Sequence, residues 1–218
     1  MASRPRVGFR LYLITDRHAV KRGDLIAACE AALAAGRDFS PAGAVALQLR
    51  EKDLSARALY ELALKLRGVC TRYGTPMLVN GRADVALAAD ADGVHLPSDS
   101  IGASDARKLL GPDKLIGVSA HSPAELSRAA RGGADFAVYG PVFDPISKPP
   151  AGLACGLDGL AAACEGARIP VFAIGGITPE RASATLDAGA AGVAAIGAIL
   201  AADSPAEAIR AMLAALSP

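Results

Sequence analysis

The stretch VFAIGGITPE, residues 171–180, followed after a helical run by AGVAAIGAI, residues 191–199, decides how this chain is read. Two short apolar runs, Val171–Ile174 and Val193–Ile196, each stop at glycine: Gly175-Gly176 and Gly197. Apolar runs of that length read as buried parallel strands. Glycine at a strand end permits a tight turn and lets a ligand approach the main chain. Thr178-Pro179-Glu180 then opens a helix, with Thr178 as N-cap and Pro179 at the first helical position. Free N–H groups at a helix start attract anions. Two consecutive strand–glycine–helix units near the C-terminus are what a phosphate-binding barrel places after its last two strands. The plainer alternative is that these glycines serve only as turns.

Upstream the same alternation repeats. Strands are expected at Phe9–Ile14, Val45–Leu49, Met77–Val79, Gly93–Leu96, Leu115–Val118 and Phe136–Tyr139. Helices are expected at Asp24–Ala35, Leu54–Arg72, Ala83–Ala89, Ser104–Leu110, from Ser122-Pro123 to Arg131, and at Leu157–Glu165. Gly36–Gly43 reads as a loop, and a longer one runs from Gly140 to about Gly156. With the two C-terminal units this makes eight strand–helix pairs in 218 residues. The implied fold is α/β, a single-domain (β/α)8 TIM barrel over residues 1–218, with residues 1–8 or so as an N-terminal tail.

Composition narrows function. Hydrophobic residues are 52% of the chain, which excludes disorder. Aromatic residues are 4% and the net charge is +1, so neither base stacking nor a basic field favours nucleic acid or an anionic membrane as a partner. The cysteines at Cys29, Cys70, Cys155 and Cys164 lack metal-ligand spacing and read as reduced thiols in a cytoplasmic protein. A homo-oligomer is compatible with all of this.

In a closed barrel the chemistry sits where strands end. Those points collect Thr15, Gln48, Arg50, Lys52, Asn80, His95, Asp99, Ser119, His121, Lys148, Gly175, Gly176, Ile196 and Gly197. Gln48, Arg50 and Lys52 alternate along one strand end, which points them the same way and makes a donor set for phosphate or carboxylate. The competing reading pairs them with Glu51 or Asp53. His121 follows the fifth strand and has a side chain able to take and give a proton at neutral pH. It otherwise orders its loop. His95, inside an apolar strand, is expected to be structural. Asn80 and Ser119 offer hydrogen bonds to a substrate. Lys148, in the long loop, either reaches over a phosphate or is simply solvated.

Five motifs occur in order: QLREK at Gln48–Lys52, ADGVHL at Ala91–Leu96, GVSAHS at Gly117–Ser122, GPVF with a lysine at Gly140–Lys148, and IGGI at Ile174–Ile177. Together they resemble the thiamin phosphate synthase superfamily, which also holds the TenI-type thiazole tautomerases. The synthase joins a hydroxymethylpyrimidine diphosphate to a thiazole phosphate, with Mg2+ held by two aspartates. The matching positions here are Gly81 and Ser100, with Asp99 beside the second. The synthase's threonine after the sixth strand is matched by Pro145, and its phosphate-site serine by Gly197. NGR at Asn80–Arg82 and LPS at Leu96–Ser98 are similar to the tautomerase branch instead.

The resemblance therefore implies, first, a metal-free tautomerase with no cofactor, acting on carboxythiazole phosphate. His121 would move the proton. Gly175, Gly176, Ile196 and Gly197 would hold the phosphate, and Gln48, Arg50, Lys52, Asn80, Ser119 and Lys148 would bind the rest. The alternatives are the Mg2+-dependent synthase and a non-catalytic thiazole-phosphate-binding regulator.

Overall fold

A computed structural model describes residues 7–21, 23–39, 43–144 and 154–217. Eight parallel strands close into a barrel in sequence order: β1 (Leu11–Ile14), β2 (Val45–Leu49), β3 (Met77–Asn80), β4 (Gly93–Leu96), β5 (Leu115–Ala120), β6 (Phe136–Tyr139), β7 (Val171–Ala173) and β8 (Gly192–Ala195). β8 pairs back onto β1, with Leu11 opposite Val193. Closure removes both sheet edges, so no strand is left with unpaired N–H groups. The expected TIM barrel is thus the observed architecture.

Helices cover the outside: α1 (Leu25–Phe39), α2 (Ala56–Tyr73), α3 (Ala83–Ala88), α4 (Ala103–Leu110), α5 (Pro123–Arg131), α6 (Gly156–Glu165), α7 (Pro179–Asp187), α8 (Gly197–Leu200) and α9 (Pro205–Ala215). Alternation along each strand divides the core in two. Leu47, Val94 and Ile116 face the helices, while Tyr12, Leu78, Phe136 and Phe172 fill the barrel itself. Among the described residues no helix is long and apolar enough to cross a membrane.

Several boundaries differ from expectation, most of them by one or two residues. α1 runs on to Phe39 instead of ending at Ala35. Gly36 lies inside it, where a Cβ would come within 3.4 Å of Ile209 Cδ1 and Val45 Cγ2. The missing side chain lets α1 seat closely against β2 and α9, so this glycine serves packing, not a turn. β7 ends at Ala173 and β8 at Ala195, one residue before each expected end. After β8 the chain makes one short helix, α8, then a separate α9 whose N-cap Ser204 accepts from the Glu207 N–H. That Ser-x-x-Glu signature with Pro205 at the first position was readable in the sequence.

The end of the barrel opposite the strand C-termini is tied by carboxylates just before β4 and β6. Asp135 Oδ2 accepts from the Ile116 N–H at 2.7 Å and pairs with Arg107 Nη2 at 2.6 Å. Arg107 also donates to the carbonyls of Gly111, Lys114 and Gly133. Asp92 does the same one strand over, accepting from Met77 N at 2.7 Å and from Arg67 at 3.0 Å.

Candidate active site

The mouth forms at the C-terminal ends of the strands. Gln48, Asn80 and Ser119 all occupy positions that alternation turns into the barrel, continuing the rows of Ala46, Leu78 and Leu115. The register places Asn80 beside His95 and Ile14 beside Gln48. Gln48 is 1% exposed, and its Nε2 donates to Asn80 Oδ1 at 2.8 Å. Its Oε1 is buried without a partner among the described residues. A buried carbonyl oxygen in that state costs desolvation unless a donor reaches it.

Arg50 follows Gln48 at half-burial, and Lys52 is exposed. The acidic neighbours are engaged elsewhere. Glu51 is 5% exposed and takes Thr15 Oγ1 at 2.7 Å and Arg17 Nη1 at 3.2 Å. Asp53 pairs with Arg17 and with His18 Nε2, and these hydrogen bonds hold its carboxyl well below the usual range. The ion pair competing for the strand-end cations therefore belongs to Arg17. Thr15, counted in the mouth on sequence, points away from it: its hydroxyl joins Glu51 and accepts from the Arg50 N–H at 2.8 Å.

His121 sits just past β5. Its backbone N–H donates to Glu125 Oε2 at 2.6 Å, and Ser122 caps α5 by accepting from the Glu125 N–H. Its Nδ1 lies 2.6 Å from the Gly140 carbonyl at the end of β6. A carbonyl accepts only, so Nδ1 carries a proton, and in the neutral ring the lone pair is on Nε2. His95 is buried, as expected of a structural histidine.

At the ends of β7 and β8 lies a cavity of about 420 Å³ lined by Ile174–Thr178 and Ala194–Ala198. All four residues expected to hold phosphate line it. Gly175 and Gly176 have φ of +100° and +60°, values glycine alone adopts freely. Packing is a further reason for glycine at these two positions. A Cβ on Gly175 would come 2.6 Å from Pro141 Cβ, and one on Gly176 2.6 Å from the Asp144 carbonyl. What approaches them is the segment after β6, held by Val142 N to Ile174 O at 2.8 Å and Phe143 N to Gly175 O at 3.1 Å. Arg181 of α7 fastens it further, donating to the Gly176 carbonyl at 2.9 Å with its guanidinium 4.8 Å from the Phe143 ring centre. Only Gly197 faces open space, with nothing nearer a Cβ than Ala201 at 3.9 Å. Thr178 is the N-cap of α7 and Pro179 its first residue, without a side-chain cap bond. Lys148 lies outside the described residues.

The mouth does not fit a Mg2+ ion. Gly81 offers no side-chain donor, Ser100 is a half-buried neutral hydroxyl, and Asp99 is exposed. Magnesium takes oxygen ligands in strict octahedra, commonly with one or two carboxylates. The four cysteines are free. Burial pushes the Cys29 and Cys70 thiols up to about 12 and raises Cys155, so none has the thiolate character of a nucleophile.

The sequence profile of the thiamine monophosphate synthase family matches residues 11–199. A thiamine-phosphate synthase of Chloroflexus aurantiacus is 43% identical over 211 residues, 97% of this chain and 94% of its own. A provisionally named thiamine-phosphate synthase of Geobacter sulfurreducens is 49% identical over 213 residues, 98% and 97% of the two chains. The solved thiamine phosphate pyrophosphorylase of Pyrococcus furiosus superposes with a TM-score of 0.82 at 33% identity, covering 95% of each chain. These relatives bear the synthase's name and not the tautomerase's, which corrects the expected order of the two branches. From β1 to α8, the chain belongs to the thiamine monophosphate synthase family.

Proposed function

We propose that this mouth joins a pyrimidine diphosphate to a thiazole phosphate, the reaction for which its relatives are named. The observation that carries the reading is that two anion-suited regions, the cations after β2 and the glycine cavity after β7 and β8, lie at the same end of one barrel. The glycine cavity of β7 and β8 suits the thiazole phosphate through backbone N–H groups. Arg50 and Lys52 suit the diphosphate.

In that reaction the thiazole ring nitrogen forms a bond to the pyrimidine's methylene carbon. The carbon–oxygen bond to diphosphate breaks, and its electron pair leaves with the diphosphate. No proton need move, so positioning and charge are the protein's contributions. Gln48 and Asn80 present amide groups to the pyrimidine, and the orphaned Gln48 Oε1 suits an amino group on that ring. Arg50 and Lys52 offset the charge gathering on the leaving group. No step is routed through a metal, because Gly81 and Ser100 do not make a site for one.

The second reading, tautomerisation of carboxythiazole phosphate, is favoured by one observation. His121 has Nδ1 tied to Gly140 and Nε2 free of protein partners among the described residues, as a general base requires. Incubating the purified chain with both synthase substrates tests the proposal. Thiamin phosphate is expected. Aromatisation of the alkylidene tautomer without thiamin phosphate would replace the proposal with the second reading. Thiazole phosphate binding with neither reaction would leave a regulator.

A further inference from the structure

One buried polar chain in the barrel plays no part in the reaction above. Tyr12, His95 and Ser119 stand in line from the interior to the mouth. Tyr12 Oη lies 3.5 Å from His95 Nδ1, and His95 Nε2 lies 3.0 Å from Ser119 Oγ. Tyr12 is 0% exposed and His95 2%, whereas Ser119 is half-exposed and borders a cavity of about 310 Å³ between the ends of β4 and β5.

We propose that His95 is a positioning residue that holds the Ser119 hydroxyl as a hydrogen-bond donor toward an acceptor oxygen of the substrate. The inference rests on the mouth being the substrate site.

The hydrogen-bond inventory sets the direction. Among the described residues the Tyr12 hydroxyl has His95 Nδ1 as its one hydrogen-bond partner. Its proton is satisfied only if Nδ1 accepts. The imidazole proton then lies on Nε2, which donates to Ser119 Oγ. With that lone pair taken, the serine's own proton is free to turn to the mouth. The opposite tautomer strands the tyrosine proton in a dry core and draws the serine proton back into the wall.

The ring is also held in place. A Cβ on Gly117 would come 2.8 Å from His95 Nδ1 and 2.4 Å from the Phe136 ring, so that glycine makes the space the imidazole fills. The Tyr12 and Phe136 rings pack against it at 5.7 and 6.2 Å. Burial, with the charge of Arg50 adding to it, pushes the His95 pKa down to about 3. The ring stays neutral at working pH, which a directed relay of hydrogen bonds requires.

Two measurements test this. In 15N-labelled full-length protein, the His95 ring nitrogens are expected to report one neutral tautomer with the proton on Nε2, unchanged from pH 5 to 8. A proton on Nδ1, or a charged ring, would overturn the proposal. This reading needs no substrate, so it is independent of whether the synthase assignment holds. The second is a cycle of kcat/KM with His95→Leu, His95→Gln and Ser119→Ala. Leucine is expected to cost about tenfold, and glutamine, whose amide N–H can stand in for Nε2–H, within about threefold of wild type. In the Ser119→Ala background His95→Leu is expected to cost nothing further. A loss that persists there would mark His95 as merely structural. If thiamin phosphate does not form, the same cycle is read on turnover or binding of carboxythiazole phosphate.

Discussion

His121 Nδ1 lies 2.6 Å from the carbonyl oxygen of Gly140, which joins the end of β5 to the end of its neighbour β6. Two residues later the β6 segment packs on the Gly175-Gly176 turn, through Val142 N to Ile174 O. The histidine, the long loop's base and the glycine cavity are therefore one connected piece. Replacing His121 with Asn separates the two reactions. Tautomerisation is expected to fall by ~10²–10⁴-fold, the usual contribution of a general base. Thiamin phosphate formation, which moves no proton, is expected to stay within a few-fold. Steady-state assays on both substrates check it. A comparable collapse of synthase turnover would bring the histidine into that reaction.

The three glycines are expected to respond differently to alanine. Gly176 has φ +60° and faces the Asp144 carbonyl, so Gly176→Ala meets both left-handed strain of ~1–2 kcal/mol and a clash. It is expected to lower the melting temperature. Gly197→Ala has room and is expected to melt like wild type. Its methyl enters the cavity, however, and should weaken binding of thiazole phosphate by calorimetry. Equal melting of the two variants would contradict the packing argument.

Much of this was legible beforehand, and the exceptions share a cause. β2, β4 and β6 were expected with their observed ends, because short apolar runs and flanking polar residues mark them locally. Asn80, Gln48 and Ser119 were expected at the mouth because they stand at strand ends. What could not be read is pairing between distant loops. Nothing near Arg17 announces that it will take both Glu51 and Asp53, leaving Arg50 to the mouth. Glycine in Gly36 and Gly175 looks alike in sequence, yet one lets helices meet and the other lets a loop dock. The Tyr12–His95 contact joins residues eighty-three positions apart.

Stability at the closed end depends on Asp135. Its carboxylate, 3% exposed, satisfies the Ile116 N–H and the Arg107 guanidinium. Arg107 Nε is already buried without a partner among the described residues. Asp135→Ala would leave the cation unpaired, which typically costs about 3–5 kcal/mol. A melting temperature lower by roughly 10 °C is expected in a chain of this size. A change of only a degree or two would mean that Arg107's carbonyl contacts suffice.

Acid should weaken the fold through His95. Its folded pKa is depressed to about 3, against an ordinary value near 6.5. Between those values the unfolded chain binds the proton and the folded chain does not. The contribution is therefore fully present above about pH 6.5 and is lost as pH falls toward 3, at up to ~1.4 kcal/mol per pH unit. Urea unfolding across pH 4–7 is expected to show this slope in wild type and a shallower one in His95→Gln. Parallel curves would place the acid sensitivity elsewhere.

The absent carboxylates can be restored. A Cβ on Gly81 would lie 3.7 Å from Pro97, ordinary contact, and aspartate is among the residues that tolerate the φ of +67° there. Ser100 borders open space between the β4 and β5 ends. Gly81→Asp with Ser100→Asp would give the mouth two carboxylates, enough for Mg2+ with substrate phosphates completing the shell. The double variant is expected to give thiamin phosphate formation a Mg2+ dependence that wild type lacks. It is expected to leave tautomerisation no faster, because that reaction gathers no charge on a diphosphate. If wild type already saturates at the same Mg2+ concentration as the double variant, other groups in this mouth hold the metal, and Gly81 and Ser100 have lost their weight in separating the two reactions.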